Sequence, residues 1–159
     1  QAGICMHVCQ LRPASRGRIL LEDANPLSEP RIEAGYLSEP GDLQVMIEGV
    51  KVARRIFGME AFRSILGKEH ASSRGRKTDE AIEEFIREFA ETIYHPVGTC
   101  KMGHDRMSVV DDQLRVIGVK GLRVVDASIM PTLVGGNTNA PVIMIAEKAS
   151  DMILEAVGQ

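Results

Sequence analysis

Tryptophan is missing from this chain, and its aromatics are limited to two tyrosines and four phenylalanines. Proteins that read single-stranded nucleic acid or sugar rings by stacking need aromatic faces, and this composition offers no such platform. Cysteine is scarce and odd in number, at positions 5, 9 and 100. That argues against a disulfide scaffold and fits a reducing, cytoplasmic setting. No basic block stands out, since 19 Lys and Arg are set against 22 Asp and Glu for a net charge of −3, so no nucleic-acid partner is expected. The longest apolar run, Ala140 to Ala146, is far shorter than the ~20 residues of a membrane span. The amino terminus starts at Gln1 and shows no basic segment leading into an apolar run, so no secretory leader is expected there.

What is present suits a packed domain. The chain has 159 residues, 44% hydrophobic and 26% charged, a balance that supports a core and argues against disorder. Ile4–Leu11 and Gly17–Leu21 read as strands joined by Pro13-Ala14-Ser15-Arg16, and Pro26, Pro30 and Pro40 then punctuate a polar connection. Leu43, Met46, Ile47, Val50 and Phe57 recur at helical spacing, predicting an amphipathic helix over 42–57 that Gly58 stops. Ala61–Leu66 reads as a short helix. Thr78 is a good N-cap for a helix carrying Ile82, Phe85, Ile86, Phe89 and Ile93 on one stripe and running to about Thr92. Short strands follow at Leu114–Ile117 and Leu122–Val125, then a final helix from Ala140 to Val157 stopped by Gly158. Separated strands and helices of this kind read as α+β, or as pieces of an α/β enzyme.

Three segments carry candidate chemistry. Pro96 ends the preceding helix and pushes His95 into an extended conformation. Gly98 and Gly103 then permit close approach of backbone to a ligand. The five-residue glycine spacing invites a phosphate-loop reading, but His104-Asp105 follow where Lys-Ser/Thr would be needed, so that reading is rejected. Gly135-Gly136-Asn137 is a turn, and it opens onto a helix whose first residues, Pro141 to Ala146, are apolar nearly all round. That pattern predicts a buried helix start, and a buried positive helix end favours an anion. Leu122–Ser128 reads as a buried strand ending in a loop. Cys5, His7 and Cys9 alternate along a presumed strand and so share one face; strand alternation explains the pattern, and no metal site is expected. His70 and His104 are expected to be solvated.

The segment His95-Pro96-Val97-Gly98-Thr99-Cys100-Lys101-Met102-Gly103 resembles the active-site histidine segment of the glucose–methanol–choline (GMC) flavoprotein oxidoreductases. Arg123-Val124-Val125-Asp126-Ala127-Ser128 with Met130-Pro131, and Asn137-Thr138-Asn139-Ala140-Pro141, match the same family. Ser15-Arg16-Gly17-Arg18 with Pro26, then Tyr36-Leu37-Ser38 and Asp42, resemble the start of its C-terminal region. The likeness covers nearly the whole chain and points to the choline dehydrogenase-like and alcohol dehydrogenase branch.

The resemblance implies an α+β piece of a larger α/β enzyme. About 1–95 would belong to a substrate-binding region, an antiparallel sheet with flanking helices. About 96–159 would supply the active-site loop and the last strand and helix of the FAD domain. It implies that His95 handles the proton of a small-molecule alcohol, that Asn137 holds the substrate oxygen, and that hydride passes from a primary alcohol to flavin N5, giving an aldehyde. It implies FAD contacts from Asp126, Ala127, Thr138, Asn139 and Pro141, with Asp126 and Ala127 acting through backbone more than charge. The family's Gly-x-Gly-x-x-Gly fingerprint is absent, so the N-terminal FAD-binding half is missing and the chain alone is expected to be inactive. The electron acceptor (oxygen, quinone or protein) stays open. The competing expectation is a non-catalytic interaction domain that keeps the fold without the cofactor.

Overall fold

A computed structural model describes residues 3–158. The α+β class holds. Among the described residues there are a two-stranded antiparallel sheet, β1 (Arg18–Leu20) with β2 (Arg31–Glu33), and three α-helices, α1 (Pro40–Phe57), α2 (Asp79–Phe89) and α3 (Asn139–Val157). Single 3-10 turns lie at Glu60–Phe62 and Ala127–Ile129. The chain divides into two compact units: residues up to Gly17 with Ala34–Thr92, and Arg18–Glu33 with the chain from Ile93 onward.

In the first unit, α1 begins with Pro40, whose missing N–H is harmless in a first turn. Leu43 and Ile47 of α1, four apart, meet Ile82 and Ile86 of α2, also four apart, in one apolar cluster. The Thr78 Oγ1 accepts the Ala81 N–H at 3.3 Å, starting α2 as its residue type predicts.

The tightest polar feature of this unit is Asp42, only 3% exposed in the first turn of α1. Its carboxylate accepts the Ala14 N–H at 2.9 Å, the Ser15 N–H at 2.7 Å, the Ser15 hydroxyl and the Gln10 side-chain amide. Ser15 Oγ in turn accepts the N–H of Glu39 itself at 3.1 Å, one of the donors that a helix start leaves without an intrahelical partner. Burial pushes the Asp42 carboxyl up, but the hydrogen bonds from Ser15, Ala14 and Gln10 outweigh it and hold the pKa at about 2.

Several expectations need correction. Ile4–Leu11 is not a strand; it carries no β-pairing and lies on α1, where a Cβ at Gly49 would overlap Val8 Cγ1. Cys5 and His7 are exposed and Cys9 is half-buried on this unpaired segment, rather than sharing a strand face. β1 pairs instead with β2, inside the connection expected to be irregular, with Arg18 opposite Glu33 and Ile19 opposite Ile32. The linking loop is held by Asp23, which accepts the Asn25 N–H and the Ser28 hydroxyl, and by Asn25, which accepts the Leu27 N–H. The helix expected over Ala61–Leu66 shrinks to one 3-10 turn. α2 ends at Phe89, not near Thr92; Phe89 and Ile93 are exposed, so no burial holds a further turn.

In the second unit the expected strands 114–117 and 122–125 reduce to isolated bridges, Val110 with Val116 and Arg115 with Arg123. Hydrogen bonds from Val116 N to Leu122 O and from Val124 N to Leu114 O keep the chains adjacent. Leu114 interrupts the ladder with a left-handed backbone, φ 61°, and buries its side chain beside Val110, Ile129 and Ala149. From α3, Ile145, Ala149 and Met152 face this cluster at helical spacing. Gly158 ends α3 with φ 78°, the left-handed cap its position predicts.

Candidate active site

The histidine loop is built from the backbone outward. Tyr94 has φ 64°, and Pro96 follows His95 directly. His95 is half-buried. Gly98 takes φ 87° and passes beneath the Met130 carbonyl oxygen, which would lie 3.3 Å from a Cβ at that position. Two further main-chain bonds fix the loop: Cys100 N–H to Ser128 O at 3.0 Å, and Met102 N–H to Ile129 O at 2.8 Å. The structure thus brings the first and second of the three sequence segments into direct contact.

Asp126 caps the 3-10 turn, its Oδ1 accepting the Ser128 N–H at 2.7 Å, so one carboxylate oxygen is already engaged locally. Ala127 is half-buried beside it. Lys101, the cation that a phosphate loop would need free, is spent on Asp105 at 2.6 Å. That hydrogen bond, together with the Met107 N–H, holds the Asp105 carboxyl below the ordinary range.

The third segment joins the others through α3. Asn137 is exposed in the turn, and Thr138, buried at the helix boundary, accepts the Val142 N–H at 3.0 Å through its carbonyl. No side chain caps this helix start, and Pro141 has no N–H to cap. Asn139 is exposed and Pro141 half-buried. Among the described residues no hydrogen bond joins His95 to Asn137. The expectation that the start of α3 is buried is corrected: Ile143 is 55% and Met144 60% exposed, because the core of this unit covers only the Ile145–Ala149–Met152 face. A cleft of about 610 Å³ opens elsewhere in the second unit, between Asp111, Arg115, Lys120, Leu122 and Ala156, and contains none of the candidate residues. Among the described residues no group of three His, Cys, Asp or Glu gathers as metal ligands would.

Sequence reasoning missed the anchors of the histidine loop. Ser128, Ile129 and Met130 act through carbonyl oxygens, which every residue carries, so side-chain identity gives no signal.

Residues 13–146 match the family model described as GMC oxidoreductase, and that span takes in all three segments. The chain belongs to the GMC oxidoreductase family. Alcohol dehydrogenase (acceptor) of Pseudomonas putida is 51% identical over 155 residues, 98% of this chain and 28% of that protein. Oxygen-dependent choline dehydrogenase of Cronobacter sakazakii is 45% identical over 151 residues, 95% of this chain and 27% of that protein. Among solved structures, a FAD-dependent oxidoreductase from Chaetomium thermophilum superposes with a TM-score of 0.86 at 32% identity, covering 92% of this chain and 26% of that one. This GMC chain therefore spans little more than a quarter of the curated relatives it matches.

Proposed function

We propose that this chain is the C-terminal part of a FAD-dependent GMC oxidoreductase that oxidises a primary alcohol to an aldehyde, and that it supplies the proton-handling side of the site. The observation that carries this reading is the tie between the His95 loop and the Asp126–Met130 segment, made by main-chain bonds at 3.0 and 2.8 Å. General acid–base catalysis depends on position before it depends on pKa, and these bonds hold the loop that carries the imidazole. His95 takes the proton from the substrate hydroxyl oxygen. The Asn137 amide donates a hydrogen bond to that oxygen and does not act as a base. The names of the two relatives, for an alcohol and for choline, support an alcohol as substrate class.

The residues present fit a flavin. The uncapped start of α3 offers free N–H groups and the positive end of a helix dipole, which suits the C2 carbonyl and N1 side of a flavin ring. Thr138, Asn139 and Pro141 would hold that ring, and Asp126 and Ala127 the ribityl–pyrophosphate part. When bound, the flavin supplies the two-electron acceptor that alcohol oxidation requires. The exposed apolar face at Ile143 and Met144 fits cover by the part of the relatives that lies beyond this chain. Three unpaired cysteines suit a cytoplasmic setting.

Two results test the reading. The purified 159-residue chain, which lacks a dinucleotide fingerprint, is expected to show no alcohol oxidation with a dye acceptor; flavin-dependent turnover by it overturns the division of labour proposed here. In the full-length enzyme, Asn137→Ala is expected to slow flavin reduction about two- to tenfold, the worth of one neutral hydrogen bond. Asn137→His should retain partial activity. A wild-type reduction rate in Asn137→Ala would leave Asn137 as a turn residue only.

A further inference from the structure

Gly98 combines a left-handed backbone, φ 87°, with a main-chain neighbour: a Cβ there would lie 3.3 Å from the Met130 carbonyl oxygen. Gly118 and Gly121, left-handed too, would meet nothing within 4 Å, and Gly103 would meet the side chain of Ser108. The Met130 carbonyl cannot readily turn aside. Met130 is 5% exposed and its N–H is bonded to Ala127 O at 3.2 Å. Its ψ of 122° lies in the range to which the following Pro131 confines it. The close approach that this glycine permits is therefore to the protein's own backbone.

We infer that Gly98 is the positioning residue that sets where the His95 imidazole stands relative to the Asp126–Met130 segment. This inference rests on the function proposed above for His95. The loop is fixed to that segment by the bonds of Cys100 and Met102, and both lie after Gly98 in the chain. Before Gly98, neither His95 nor Val97 makes a main-chain hydrogen bond among the described residues. The stretch between is stiff, because Pro96 has a fixed φ and holds His95 extended. A change of backbone direction at residue 98 therefore swings 95–97 as a unit. An alanine there must push off the Met130 carbonyl or leave the left-handed region, which side chains seldom adopt, and either response tilts the arm. Three residues of extended chain reach about 10 Å, so a tilt of about 10° carries the imidazole through about an ångström or more. A misplacement of about an ångström is enough to cost up to about a hundredfold in rate.

The test uses the full-length flavoenzyme that carries this chain. Gly98→Ala is expected to lower the rate of flavin reduction at saturating alcohol about tenfold, with flavin content unchanged. Gly98→Asn tolerates the left-handed backbone but brings the same Cβ. It should lose about threefold, and it decides if the alanine variant fails to fold. A crystal structure of the variant should show the Cys100 and Met102 bonds retained and the imidazole displaced by about an ångström. Because Gly98 acts through His95, adding Gly98→Ala to His95→Ala should cost nothing further. A wild-type rate in Gly98→Ala, an imidazole in its wild-type place, or losses that multiply in the double variant would each overturn the inference. A His95→Ala enzyme that reduces its flavin normally overturns the function of His95 instead. The displacement in the crystal is read without reference to rate, which separates the two failures.

Discussion

Replacing His95 with alanine in the full-length enzyme is expected to slow reduction of the flavin by alcohol on the order of a hundredfold or more, as loss of a positioned acid–base group does. The fold should survive. The bonds that hold the histidine loop, Cys100 N to Ser128 O and Met102 N to Ile129 O, are main-chain bonds that do not involve the imidazole. Flavin content should also survive, because the groups proposed to hold the flavin lie at 126–127 and 138–141. The loss should therefore fall on the chemical step, visible as a slower absorbance decay on rapid mixing with saturating alcohol and an unchanged flavin-to-protein ratio. His95→Asn keeps a hydrogen-bonding group without a useful base and should be nearly as slow. An unchanged reduction rate in His95→Ala would place the proton acceptor on another residue.

The second large effect is on stability. Asp42→Ala is expected to destabilise the chain by about 2–3 kcal/mol, the scale of hydrogen bonds to a charged acceptor, because it strands the donors of Ala14, Ser15 and Gln10 and loosens the Ser15 bond to Glu39 N. Asp42→Asn should recover little, since its amide turns N–H groups toward backbone donors. The pH dependence fixes the mechanism. The folded-state pKa of Asp42 is about 2 against an ordinary 3.8, so its stabilisation is fully present above about pH 5. It fades as pH falls through 3.8 and is gone below 2. Urea midpoints of wild type and Asp42→Asn should accordingly differ at pH 7 and converge near pH 2. A gap that stays constant over that range would mean that the carboxylate charge is not what holds the segment.

The helices were legible in the sequence, and the strands largely were not. α1 and α2 each carry a strong apolar period that their burial follows, Leu43 with Ile47 and Ile82 with Ile86; α3 was legible from its length and its Gly158 stop, while the face it buries, Ile145 with Ala149 and Met152, was not. Strand identity depends on a partner, which a local pattern does not contain. Ile4–Leu11 has the alternation of a strand and no partner, whereas Arg31–Glu33 has almost no pattern and pairs with β1. Leu114 shows a further limit: a left-handed leucine in an apolar run is invisible until tertiary packing imposes it. The family's motifs could be read because they carry side-chain identity, and the family model spans them. The Asp42 cluster could not, because its donors lie 27 to 32 residues earlier and two of them are backbone N–H groups.

The path of the chain between the two units limits how it can be cut. The hairpin residues Arg18–Glu33 belong to the second unit, while Gly17 and Ala34 on either side of them belong to the first. The polypeptide therefore passes from one unit to the other at three covalent junctions: 17–18, 33–34 and 92–93. A single protease nick between Thr92 and Ile93 leaves no covalent link from 1–92 to 93–159; only the place of the Arg18–Glu33 hairpin in the second unit still connects them. A gene divided at that point yields one product that carries a foreign hairpin and another that lacks its own.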